Sequence, residues 1–228
     1  MKKYLFFAMF CLTTAAVNAQ LIRTEDLEKY SVEKYGEKWV DAAANLVESG
    51  EVSLDKNNSL TYVEIIDCGE QTKEQLYVNL NYWFTATFND ANSVIKLNDK
   101  EAGVIIGQGY IQGIAGHAGG MNTYLASIKP IIKADIKDKK VRITYTIQGY
   151  HMTKAAGGGI VGALAGARPT VQEELWHLEE HYPFVKKDSQ KKISSKALVM
   201  SHAFSYVLMD KINEAVKEGL VGNEADEW

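Results

Sequence analysis

Residues 141–147 alternate: Val141, Ile143, Tyr145 and Ile147 are apolar, while Arg142, Thr144 and Thr146 are polar. A period of two puts one set on a buried face and the other in water, as in a half-covered antiparallel strand. The alternation extends through 124–136, where Tyr124, Ala126, Ile128, Ile132, Ala134 and Ile136 interleave with mostly polar positions such as Ser127, Lys129 and Lys133. Pro130 inside that run predicts an edge position or a bulge. Residues 94–98 and 103–111 read as two more strands, joined by the polar turn 99–101. Residues 60–66, rich in β-branched and aromatic side chains, read as a further strand. Thr72 and Gln75 then have capping-box spacing. Leu76, Leu80, Trp83, Phe84 and Phe88 follow at helical intervals, which predicts a helix with one buried face.

The flanks read as helical. Residues 24–49 begin with acidic Glu25 and Asp26 and end at Gly50, with Gly36 dividing them into two shorter helices. Residues 171–182 read as a short helix. In 195–217 a stripe of Leu198, Ser201, Phe204, Leu208, Ile212 and Ala215 predicts a longer one closed by Gly219. From residue 59 onward the order is β-α-β-β-β-β-α. The expectation is an α+β fold of the helix-grip type, with a curved antiparallel sheet packed against helices. The chain divides into residues 1–19, a helical segment 20–58, a sheet-and-helix domain 59–152, a glycine-rich apolar segment 153–170 and C-terminal helices 171–228.

The first segment decides the expected compartment. Lys2 and Lys3 precede an apolar run at 4–12, and Val17-Asn18-Ala19 ends in a small residue before Gln20, as in a cleavable signal peptide. The run is shorter than the roughly 20 residues that span a bilayer. Phe10 stands where a lipoprotein signal would need a small residue before Cys11. Cleavage after Ala19 removes two of 25 basic and none of 29 acidic residues, so the net charge moves from −4 to −6. No basic block longer than a lysine pair occurs, which argues against nucleic acid as a partner. Cys68 is then the one remaining cysteine, a buried small hydrophobe in expectation.

The stretch "LNYWFTATFNDANSVIKLNDKEAGVIIGQGY", with Trp83 and Phe84 in its helix, together with "VRITYTIQGY", carries a resemblance. It resembles a secreted Bacteroidetes domain-of-unknown-function family (4468) with a TBP-like fold, over roughly residues 59–152. The resemblance implies topology, and it brings no catalytic residues.

Two motifs invite chemistry. Residues 157–162 satisfy G-x-G-x-x-G, but a dinucleotide fingerprint requires a strand–turn–helix setting and an acid about 20 positions on at the end of the next strand. Here the preceding strand belongs to an antiparallel meander, Glu179 and Glu180 fall in an expected helix, and no GK[ST] follows. No cofactor is expected. In the same uncharged segment Gly158, Gly162 and Gly166 recur every four residues, the spacing of small residues where helices approach closely. They mark either a segment packed on its own domain or an interaction surface. The second motif is "HLEEH". On a helix His177 and His181 would share a face with zinc-chelating spacing, with Glu180 as a base. A third ligand is missing, so two solvent-facing histidines are the alternative. His117 lies among glycines as a loop residue, and Tyr62, Trp83, Phe84, Tyr110 and Tyr145 read as core.

Three function classes remain. The leading one is an exported, periplasmic or outer-membrane-associated module that is not catalytic. Its partner would be an envelope protein, a surface polymer or the membrane surface, with homo-oligomerisation open. The second is a carrier of a small apolar ligand held between sheet and helix. The weakest is a zinc-dependent hydrolase using His177, Glu180 and His181.

Overall fold

A computed structural model describes residues 21–88, 94–118, 122–157, 161, 164–166, 168, 170–183 and 191–218. The signal-peptide segment, Gly158, Gly162 and the closing Gly219 lie outside the described residues.

Helix α1 (Thr24–Tyr35) carries Glu25 and Asp26 in its first turn, where the helix dipole favours negative charge. It stops at Gly36, whose φ of 88° falls in a region open mainly to glycine. Helix α2 (Trp39–Glu48) follows. Strand β1 (Leu60–Asp67) leads into α3 (Lys73–Thr87), which has the expected capping box. The Gln75 backbone N–H donates to Thr72 Oγ1 at 3.3 Å, and the Thr72 N–H to Gln75 Oε1 at 2.9 Å.

The strands that follow are β2 (Ile95–Asp99), β3 (Val104–Gln108), β4 (Ile111–Ala118) and β5 (Asn122–Ile128). Then come β6 (Ile131–Lys137), β7 (Lys140–Ile147), β8 (Gly149–Ala156) and β9 (Thr170–His177). They form two antiparallel sheets, A in the order β1-β7-β6-β3-β2 and B in the order β4-β5-β8-β9. The expected single sheet is therefore bent into two. Three continuous runs cross from one sheet to the other: β3 to β4 at Gly109-Tyr110, β5 to β6 at Lys129-Pro130, and β7 to β8 at Gln148. Pro130 sits at one of these breaks, where it has no ladder bond to donate, and its carbonyl accepts from the Gly109 N–H at 2.9 Å.

The expected helix at 171–182 is corrected. Residues Thr170–His177 pair in register with β8, Ala156 opposite Thr170 and Gly149 opposite His177. Only Leu178–His181 is helical (α4). The run of glutamates and leucines favours a helix locally, but strand pairing and burial of Trp176 on the sheet override that preference.

Helix α5 (Lys191–Glu218) is gripped by the sheets on one side and by α1 and α2 on the other. Its residues Ala197 to Ser205 are all buried, so the single stripe read from sequence understates its burial. Helix α3 lies on sheet A through Leu76, Leu80, Trp83 and Phe84. The approach is close because position 107 is glycine: a Cβ there would stand 2.6 Å from Phe84 Cε1.

Cys68 is 4% exposed, and burial pushes its thiol up from the usual range. A thiol reagent should label the native protein slowly and the denatured protein fully. Equal labelling rates in the two states would contradict this placement.

Candidate functional site

The ends of two strand pairs meet at one end of sheet B. Ala118 pairs with Thr123, Asn122 with Ala156, and Ala156 with Thr170. The strand ends that bound residues 119–121 and those that bound the glycine-rich segment therefore lie side by side. Strand β9 is an edge, exposed at every position except Trp176. Val171 is exposed, and within the glycine-rich connection so are Val161 and Leu164, the latter at 84%. Of the three glycines singled out, Gly166 is exposed and has φ 68°, in the left-handed region. A straight helical strip through 158, 162 and 166 is therefore interrupted at its last member.

On one face near this end stand His117, Tyr124, Lys154 and Gln172, opposite one another across β4, β5, β8 and β9. Lys154 Nζ lies 5.8 Å from the Tyr124 ring centroid. His117 is thus an exposed strand residue, where the sequence suggested a loop.

Further along the outer side of sheet B is an open cleft of about 560 Å³. Tyr110, Lys129, His151, Thr153, Glu173 and Leu175 line it. Tyr110, expected in the core, is 56% exposed here because it occupies the break between β3 and β4. The His151 pKa is lowered, by burial and then by the neighbouring Lys129 charge. Such a lining can hold a polar ligand by hydrogen bonds.

The zinc motif loses the geometry it was read from. His177 is the last residue of β9, with ψ 137°, so the two histidines do not share a helix face. His181 is half-buried and stacks on Trp176 at 4.5 Å between centroids, while the Trp176 indole N–H donates to Glu174 Oε1 at 3.0 Å. Glu180 is exposed on the single turn between them. Among the described residues no group of three or more His, Cys, Asp or Glu converges as metal ligands do. The space the carrier reading assigns to a ligand, between sheets and helix, is filled by Tyr145, Tyr150, Leu198 and Phe204.

Sequence reasoning missed a buried polar cluster centred on His202. Its Nε2 lies 3.1 Å from Glu51 Oε1 and its Nδ1 lies 3.1 Å from the Tyr62 hydroxyl. Tyr206 also donates to Glu51 Oε1, at 3.2 Å, and the Lys34 ammonium sits 3.6 Å from the Tyr206 ring centroid. The Glu51 carboxyl is held below its usual range, first by its hydrogen bond to His202. As a carboxylate it can only accept, so Nε2 carries the proton and Nδ1 accepts from Tyr62. The imidazole is then satisfied while neutral. Burial lowers its pKa, although Glu51 pulls the other way. The cluster ties α1, the segment after α2, β1 and α5 together. No spacing rule would find it, because its hydrogen-bonded partners lie up to 155 positions apart.

This cluster makes stability depend on pH. An unfolded histidine takes up a proton near pH 6.5, while folded His202 resists it, so stability falls as pH drops below about 6.5. His151 shifts in the same direction and contributes likewise. The unfolding midpoint should decline between about pH 7.5 and 5.5, above the range where carboxylates titrate, and His202→Gln should flatten that slope. A slope unchanged by the substitution would contradict the assignment.

The class defined by these observations is an α+β domain with a bent antiparallel sheet closed over helices. Residues 62–150 match the model of the family described as "Domain of unknown function (DUF4468) with TBP-like fold". Two crystal structures are similar. One is a TBP-like protein from Parabacteroides distasonis, 11% identical, with a TM-score of 0.48, covering 73% of this chain and 97% of that one. The other is a DUF4468 family protein from Bacteroides ovatus, 10% identical, with a TM-score of 0.44, covering 73% and 91%. No curated protein matches the chain.

Proposed function

We propose that the protein is an exported, non-catalytic binding module of the cell envelope that presents the free end of sheet B to its partner. One observation carries the reading: exposed apolar side chains gather at the end of sheet B, Val171 on the edge strand β9 and Val161 and Leu164 in the connection that leads into it. Exposed apolar positions gathered at one place, away from the packed core, are the usual mark of an interaction surface. Export rests on the basic, apolar and small-residue pattern of the first nineteen residues. No described helix is long and apolar enough to cross a membrane.

The test is fractionation of cells expressing the full chain with a C-terminal tag. The reading expects a chain beginning at Gln20 that sediments with the envelope. A chain that keeps its first nineteen residues and stays in the cytoplasmic fraction would overturn it.

A further inference from the structure

We infer that the free end of sheet B docks on an anionic lipid surface, with Val161 and Leu164 entering the headgroup layer and Lys154 and Arg168 resting against it. This rests on the binding-module reading above and names its partner.

The first argument is charge. The chain is acidic overall, yet residues 102–134 and 139–172 contain no Asp or Glu. Those two stretches include the whole of β4, β5 and β8 and the first part of β9. From Ala155 to Gln172 the only charged side chain is Arg168, and Lys154 stands just before. An acidic protein has thus kept one end free of acids and given it cations, the complement of an anionic headgroup layer.

The second argument is length. The first acid on β9 is Glu173, paired with Thr153, three residues from the end pair Ala156 and Thr170. At about 3.3 Å per residue the acid-free end is roughly 10 Å deep. Apolar faces of interfacial segments sink about 5–10 Å into the boundary between headgroups and acyl chains. Penetration to that depth would stop where negative charge begins. Tyr124, beside Lys154, sits in this band, and amphipathic aromatic rings favour the interface.

The third argument is the kind of partner the segment can satisfy. Protein interfaces draw their affinity from large anchors such as Trp, Tyr and Arg seated in shaped pockets. Residues 155–167 hold five glycines and five alanines and no Trp, Tyr or Arg, and among the described residues Val161 and Leu164 are its large exposed apolar side chains. A fluid lipid surface asks for no shape match.

The experiment is co-sedimentation of residues 20–228 with vesicles, the apolar run at 4–12 being removed because it would bind lipid by itself. Vesicles of phosphatidylcholine with phosphatidylglycerol should carry the protein down, and phosphatidylcholine alone should carry less. Leu164→Asp should cut partitioning by about tenfold or more, given what burial of a leucine contributes. Arg168→Glu should weaken binding only to the anionic vesicles, and Val63→Asp, at an exposed apolar site on β1, should leave it unchanged. Wild-type protein left in the supernatant, or Leu164→Asp binding as wild type does, would overturn the inference. If vesicles fail while the chain still sediments with the envelope, the partner is a protein or polymer and the binding-module reading survives. Loss of both defeats both.

Discussion

Trp83→Ala should lower the free energy of unfolding by about 3–5 kcal/mol, the usual cost of truncating a buried aromatic side chain. Trp83 is 7% exposed and meets Phe84 and Phe88 edge-on, at 5.1 Å and 5.9 Å between centroids. Phe84 in turn lies on Gly107 of β3. The indole therefore backs the contact by which α3 is seated on sheet A, and the cavity left behind cannot collapse without moving Phe84. Chemical denaturation of the wild type and variant measures the difference. A loss below about 1 kcal/mol would mean that α3 is held elsewhere.

Phe204→Ala should cost a similar amount, about 3–5 kcal/mol, for a different reason. Phe204 is 2% exposed, in the stretch of α5 that is buried all round, and its ring centroid is 6.1 Å from that of Tyr145 on β7. Helix α5 therefore belongs to the core of the sheet domain, although the sequence division at residue 152 left it outside. We propose that a fragment of residues 59–152 alone would leave Ile143, Tyr145, Ile147 and Tyr150 uncovered and would lack a cooperative thermal transition. A fragment that melts cooperatively, or a Phe204→Ala protein as stable as wild type, would contradict this role for α5.

What could be read in the sequence follows from the range of the forces involved. The capping box at Thr72 and Gln75, the stripe on α3 and the alternation in β7 are local patterns, and each stands in the structure where its spacing put it. The bend between sheets left only faint marks, Gly109 and Pro130, because a strand that changes sheets keeps its period of two. β9 was hidden by helix-favouring glutamates, since its strand state comes from pairing with β8. The His202 cluster joins four distant segments and has no local signature. At the candidate site, the uncharged character of residues 155–167 was visible. That the start of β5 lies beside the end of β8 could be recognised only from the pairing of the two strands.

The measurement that tests the central claim most directly is envelope retention of wild type against Leu164→Asp, at matched expression and with melting temperatures compared. Leu164 is 84% exposed, so the substitution should leave the melting temperature within about a degree or two of wild type. The account predicts that wild type stays with the envelope fraction while the variant is released. Equal retention of the two proteins, with both folded, would contradict it.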